Sequence, residues 1–271
     1  MTNRSRSIAI GACYCILHLG SDLLTRGLEG GPLVPIRHTP GLALALLALG
    51  GVGYAPVVFG CFLISAIFFR HPESLLAVRI ATALIQTVIF AGTAFLVRRR
   101  LGPAPLPHNR ADTAYLISAA LLAAALNSAS ITGLLYGVGS VSNATVWANL
   151  TFRWAYYTAS ILMVAPAIAI FVAPRLGLAP AIPVDQRPRP RGETAAQVAA
   201  LLGSLAVAFS FSARQQYHLS EICFAPLAWI ALTRGLPGAT LATLTINLSG
   251  YCVLGIEHAS PPVVGELGVV A

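Results

Sequence analysis

The chain has 271 residues, of which 56% are hydrophobic and only 10% are charged. A soluble domain of this length needs roughly a quarter of its residues charged to cover its surface. The composition therefore excludes a soluble globular protein and indicates an integral membrane protein. The sequence also has no G-x-S-x-G, P-loop or H-E-x-x-H motif, and we expect the chain not to be an enzyme.

Apolar segments recur along the whole sequence and are separated by short polar turns. A backbone in lipid must satisfy its own hydrogen bonds, so we expect each segment to be a helix. The prediction is an all-α, polytopic transmembrane bundle of about eight or nine helices, at about 20 residues a span, forming a single domain over residues 1–271. The segments are Ile8 to Leu24, Pro40 to Gly50, Tyr54 to Phe69, Leu75 to Val97, Tyr115 to Val138, Phe152 to Ala173, Thr194 to Ala213, Ile222 to Thr233 and Pro237 to Gly255.

Two of these segments, Pro40 to Gly50 and Ile222 to Thr233, are shorter than a full span. Each ends in a glycine-containing turn and leads directly into another apolar helix. They are either short tilted helices or re-entrant pieces buried in the bundle. The sequence leaves this choice open, and the number of membrane crossings depends on it.

The two long connections, Arg98 to Asp112 and Pro174 to Glu193, are rich in proline and arginine, which is typical of extended linkers. The positive-inside rule predicts that they and the N-terminal tail are cytoplasmic. We therefore attribute the net charge of +8 to membrane topology and not to nucleic-acid binding. Nine crossings would leave the C terminus outside.

Cys15, His18 and Asp22 are spaced i, i+3, i+7 and so share one face of the first helix. We interpret them as a polar stripe that is turned into the bundle and hydrogen-bonded there. The alternative is a proton relay or a transition-metal or haem site. A metal site needs three or four convergent ligands, and no second histidine or cysteine stripe is visible, so we expect no metal and no cofactor.

The five cysteines all lie in or beside apolar segments. An odd number of membrane-buried cysteines argues against a disulfide framework. Cys13 and Cys15 are not a chelating pair, because they lie about 200° apart around the helix.

Arg153 and Trp154 open the sixth apolar helix on the side predicted to be external, and Glu221 follows a polar outer loop. These three residues are a candidate ligand-binding region, in which Arg153 holds an anionic group. The alternative places Arg153 and Trp154 in an interfacial aromatic belt with Tyr156 and Tyr157, and Glu221 at a helix N-terminus that favours its charge.

Three further polar residues lie within the apolar segments or between them. Arg234, in the tight turn after the eighth segment, is a candidate contact for cytoplasmic coupling or simply another positive-inside arginine. Gln86 and Asn127 are lone amides in the middle of helices, and we predict that both make interhelical hydrogen bonds.

Three short motifs, in this order, resemble the first of the bacterial membrane-associated sensor domain families. They extend over nearly the whole chain. They are Pro40-Gly41-Leu42-Ala43 before a Gly50-Gly51 turn, Arg153-Trp154 before Pro166, and Pro226-Leu227-Ala228-Trp229 before Arg234-Gly235.

The resemblance implies an input domain of histidine kinases and diguanylate cyclases. It would sit in the bacterial inner membrane, with lipid and a cytoplasmic output domain as partners, and homodimerisation is left open. The family has a residue between the proline and glycine of the first motif and a last helix leading to the output, and this chain has neither. We therefore expect a fragment or a stand-alone module. The alternative functions are a small-solute transporter, the membrane component of an uptake system, or a haem or redox protein using His18.

Overall fold

A computed structural model describes residues 3–27, 38–70, 75–102, 110–178, 191–210 and 222–259. These residues form helices and the turns between them. Five helices are long and apolar enough to cross a membrane, which agrees with an all-α membrane protein. The chain divides into two compact units. Unit 1 contains helices α1 to α6, and unit 2 contains α7 and α8.

Unit 1 begins with three helices whose bounds differ slightly from those of the first three predicted apolar segments. A turn of 3-10 helix, Val52–Tyr54, precedes α3, and a π-helical turn, Ala66–Arg70, follows it. The π turn continues the third helix to about the length predicted from the sequence. The three helices are α1, Asn3–Gly27, α2, Thr39–Gly50, and α3, Ala55–Ser65.

The other three helices of unit 1 are all of spanning length. Pro166 lies inside α6, and a π-helical turn, Ile168–Val172, follows directly. A proline cannot donate its backbone hydrogen bond, which accounts for the change of helix type at this point. The helices are α4, Leu76–Leu101, α5, Arg110–Gly137, and α6, Val146–Ala167.

The helices α1 and α3 run in the same direction. The hydroxyl of Tyr54, at the start of α3, donates to the backbone oxygen of Ser7 near the start of α1 at 3.2 Å. At the other end, the guanidinium of Arg26 donates to the backbone oxygen of Phe68 at 2.7 Å. The short helix α2 packs against both α4 and α6.

Several arginines collect at one end of unit 1. Arg6 contacts Gly177, which follows α6. Arg98 donates to the last carbonyl groups of α2, and Arg100 lies 5.0 Å above the ring of Tyr115 in α5. Within unit 1, these three arginines of the set that the positive-inside rule assigns to one side therefore lie at one end.

Unit 2 is a pair of packed helices, α7, Arg191–Ser210, and α8, Phe224–Ala259. Gly235 interrupts α8 with a positive φ of 62°, a conformation that glycine adopts without steric cost. The predicted segments Ile222 to Thr233 and Pro237 to Gly255 are therefore the two arms of α8. Leu201, Leu205, Cys223, Ile230 and Ala242 form the apolar contact between the helices.

The bounds predicted for the two linkers are partly wrong. α4 continues through the arginines to Leu101, and α5 already begins at Arg110. Positive charge at a helix C-terminus favours the helix dipole, so this arginine cluster stabilises the last turn of α4. In the second linker α7 begins at Arg191. Of the remaining linker residues, 103–109 and 179–190 lie outside the described part of the chain, whereas Gly102 and 174–178 lie within it.

Candidate functional site

The polar stripe of α1 faces the interior of unit 1. His18 is 0% exposed and Asp22 is 2% exposed, while Cys15 is partly exposed. The hydroxyl of Tyr14 lies 2.9 Å from Nδ1 of His18, and Nε2 of His18 lies 3.7 Å from a carboxylate oxygen of Asp22. The ring of Phe62 in α3 meets His18 edge-on, with the ring centroids 5.0 Å apart. His18 and Asp22 are therefore buried in unit 1, whereas Cys15 is only partly buried.

The environment of His18 bears on the haem and metal alternatives. Each ring nitrogen has a polar neighbour, Tyr14 on one side and Asp22 on the other. Ligation of a haem iron by either nitrogen would require one of these neighbours to move. Among the described residues, no group of three histidine, cysteine or acidic side chains is arranged to hold a metal ion. Nδ1 of His18 is within hydrogen-bond distance of Tyr14, whereas Nε2 lies beyond hydrogen-bond distance of Asp22.

A thiol contact joins α1 to α3 beside this stripe. The Sγ atoms of Cys15 and Cys61 lie 3.3 Å apart, with Cys61 as the hydrogen-bond donor. Cys61 is 3% exposed. Cys13, two residues from Cys15, is exposed on another side of α1, as the helical period predicts.

The helix α2 is buried along its length and starts beside the middle of α6. The backbone N–H of Gly41 donates to the hydroxyl of Ser160 at 3.1 Å. A side chain at Gly41 would have its Cβ 2.7 Å from Cβ of Val164, and closer still to the backbone oxygen of Ser160. Only glycine allows the two backbones to approach this closely. Ser160 lies near the centre of the span Val146–Val172, so the first turn of α2 lies at mid-span depth.

The other end of α2 lies at the arginine-rich end of unit 1. The guanidinium of Arg98 donates to the backbone oxygens of Ala48 at 2.7 Å and Leu49 at 3.0 Å. The last carbonyl groups of a helix have no partner within it, so Arg98 supplies one and places a positive charge at the negative end of the helix dipole.

With 12 residues, α2 is about 18 Å long, against a hydrocarbon core of roughly 30 Å. The structure shows α2 as a short helix that is buried in unit 1 and extends from the middle of α6 to one end of the unit. Whether this segment is a tilted helix or a re-entrant piece stays a prediction.

The two mid-helix amides behave differently. Nε2 of Gln86 donates to the hydroxyl of Tyr157 at 2.8 Å, which links α4 to α6 and confirms the predicted interhelical hydrogen bond. Asn127 is 0% exposed, and within the described residues neither of its amide atoms has a hydrogen-bond partner. The prediction for Asn127 is therefore wrong. Its buried neighbours on α5 include the apolar residues Ala123, Ala124 and Ile131 and the polar residue Ser128, whose hydroxyl donates to the backbone oxygen of Leu150 instead.

Two of the three residues of the candidate ligand region, Arg153 and Trp154, lie in the described part of the chain. Arg153 is half-buried, and its Nε atom is buried with no partner among the described residues. Trp154 is 43% exposed, and its indole N–H donates to the backbone oxygen of Leu121 at 3.3 Å. Glu221 lies outside the described residues. The rings of Tyr156 and Tyr157 lie 4.3 Å apart, but Tyr157 is buried and so does not belong to an interfacial belt.

In unit 2, Arg234 binds the first turns of α7. Its Nε atom donates to the side-chain oxygen of Gln197 at 2.6 Å, and its Nη2 atom donates to the hydroxyl of Thr194. The amide nitrogen of Gln197, a residue 2% exposed, donates in turn to the hydroxyl of Thr233 at 2.7 Å. This hydrogen-bond network fixes the α8 residues that precede the non-helical Gly235 against α7.

Sequence reasoning missed the partners that these residues acquire through the fold. Tyr14 was recoverable, because it lies four residues before His18 and so shares its face of α1. Ser160, Cys61 and Gln197 carry no local signal, because only the packing of distant segments brings them to their partners. Comparison with known proteins adds nothing to these assignments, since no protein-family model, curated protein or solved structure matches the chain.

Proposed function

We propose that the chain is a sensory input module of the bacterial inner membrane, which couples a ligand or a membrane state to a cytoplasmic kinase or cyclase output. The five apolar helices of spanning length support a location in a lipid bilayer. The motif resemblance described above supports a role in sensing. The module itself carries out no chemistry, and its other partner is the output domain or protein.

The turn at Arg234 is the observation that carries this proposal. Arg234 and Gly235 belong to one of the three motifs that support the resemblance, and they lie where α8 departs from helical geometry. The side chains of Gln197 and Thr194 hold the turn through Arg234. In this proposal the turn at Gly235 is a hinge with two alternative states, and a stimulus acts by favouring one of them.

Arg153 is the proposed contact for a stimulus on the external side. A guanidinium with a buried and unpaired Nε retains a donor for a carboxylate or phosphate group. Trp154, on the adjacent surface, offers an exposed apolar face to the same ligand. In this proposal Glu221 closes the ligand region from the outer loop.

The geometry of α2 favours a second function, transport or membrane binding of a small solute. Transporters use short interrupted helices whose N-termini lie near the bilayer midplane. The first turn of α2, beside Ser160 and inside the bundle, has this form. A transporter would move a solute across the membrane, whereas a sensory module would not.

The experiment that separates these functions joins the full chain to a diguanylate cyclase domain after Ala271. Two fusions are made, one direct and one through an added apolar helix, so that the cyclase of one of them is cytoplasmic whichever side Ala271 occupies. Cyclase product is measured in cells for the unchanged chain, for Arg234→Gln and for Arg99→Gln. Arg99 is the matched control, because it is an exposed arginine at the end of α4.

We expect Arg234→Gln to change the cyclase output at least about threefold, while Arg99→Gln leaves it unchanged. Equal output from all three proteins in both fusions would contradict the sensory proposal. Solute accumulation in vesicles that requires the chain, together with equal cyclase output, would establish transport in its place.

A further inference from the structure

The geometry points to Cys15 and Cys61 as a reversible intramembrane disulfide site, which is oxidised by a lipid-soluble quinone. The inference rests on the contact between α1 and α3 alone and does not depend on the proposed function. It differs from the structural disulfide framework that the odd cysteine count argues against, because it concerns one pair that opens and closes.

The two thiols are already in contact. Their sulfur atoms lie 3.3 Å apart, although the residues are 46 positions apart in the sequence. A disulfide has its sulfur atoms about 2.05 Å apart, so the bond requires them to approach by about 1.3 Å. The inference is that rotation of the two side chains closes this gap.

The depth of the two thiols in the membrane determines which class of oxidant can reach them. Cys15 is the central residue of α1, with about 18 Å of helix on either side at 1.5 Å per residue. Cys61 lies near the middle of the span Val52–Phe69. Both sulfur atoms are therefore far from either aqueous surface, where charged oxidants such as oxidised glutathione remain.

The surface of α1 beside the pair is open to lipid. Cys15 is partly exposed, and the next residue, Ile16, is 73% exposed. An apolar oxidant that diffuses within the bilayer can thus reach Cys15 from the lipid. Cys61, buried next to Cys15, supplies the second thiol. A membrane quinone has this solubility and accepts two electrons.

The reaction is balanced with the quinone as the only co-reactant. The two S–H bonds break, and one S–S bond forms between Cys15 and Cys61. Two electrons and two protons pass to the quinone, whose two carbonyl oxygens become the hydroxyl groups of the quinol. The product links α1 covalently to α3, beside the buried pair His18 and Asp22.

The test uses the full reduced chain in lipid nanodiscs, with decylubiquinone as the oxidant. After treatment the protein is denatured and alkylated with N-ethylmaleimide, and the intact mass gives the number of free thiols. The reduced chain takes up five maleimides, one for each of its five cysteines. We expect the oxidised chain to take up three, and the peptides containing Cys15 and Cys61 to remain joined after cleavage at Arg26 and Arg37.

Cys13→Ser is the matched control, because Cys13 is an exposed thiol two residues away on the same helix. This variant should still lose two thiols on oxidation, whereas Cys15→Ser and Cys61→Ser should lose none. The measurement on the unsubstituted chain needs no variant to fold. Retention of five maleimides after quinone treatment, or a loss that persists in Cys61→Ser, would overturn the disulfide. Equal oxidation by glutathione disulfide in the nanodiscs would overturn the assignment of a lipid-soluble oxidant.

Discussion

Gly41→Ala tests the packing of α2 most sharply. The added Cβ would lie 2.7 Å from Cβ of Val164, whereas carbon atoms in contact normally lie about 3.5 to 4.0 Å apart. The helices α2 and α6 would therefore have to separate by about 1 Å. Such overpacking costs about 1 to 3 kcal/mol, which raises the unfolding equilibrium constant by about 5-fold to 150-fold.

The assay is an unfolding titration of the purified protein with SDS in mixed micelles. Gly92→Ala is the matched control, since Gly92 lies in α4 with open space around its Cα. Alanine in that helix should be neutral or stabilising by up to about 1 kcal/mol. Equal stability of Gly41→Ala and Gly92→Ala would contradict the close packing of α2 against α6.

The remaining predictions concern hydrogen bonds. Tyr157→Phe removes the hydroxyl that accepts the hydrogen bond from Gln86 and should cost about 0.5 to 1.5 kcal/mol in the same titration; an unchanged midpoint would contradict this. Arg98→Gln weakens the capping of α2 and should cost about 1 to 3 kcal/mol, whereas Arg99→Gln should have little effect; equal effects would argue against the cap. Arg234→Gln should speed amide hydrogen exchange in the first turns of α7, and an unchanged exchange rate would show that the contact does not hold the turn.

The sequence predicts the bounds of α2 well and its place in the bundle poorly. Pro40 near the start and glycine at the end limit the helix to within one residue of the prediction. Its depth has no signal of its own, because α2 is apolar on every side and so has no face that distinguishes lipid from protein. Only the contact between Gly41 and Ser160, from segments more than 100 residues apart, fixes that depth.

In the candidate site, too, the sequence predicts local features but not the partners that packing supplies. The spacing of His18 and Asp22 on one face of α1 is a local property, and it predicts their inward orientation. The thiol partner of Cys15 and the missing partner of Asn127 are set by neighbouring helices, which a single sequence does not specify. The ligand region remains a prediction, since Glu221 lies outside the described residues.

A sensory module with a cytoplasmic output requires a membrane bundle whose arginine-rich end faces the cytoplasm. Single cysteines are introduced at Ser140, exposed in the turn after α5, and at Arg99, exposed at the opposite end, in a chain without its native cysteines. Cells whose outer membrane has been made permeable are treated with a charged maleimide that does not cross the inner membrane. We predict that Ser140→Cys reacts in these cells and that Arg99→Cys reacts only after the inner membrane is opened. Reaction of both introduced cysteines before the inner membrane is opened would contradict this orientation of the bundle. Reaction of Arg99→Cys, but not of Ser140→Cys, in these cells would contradict it as well.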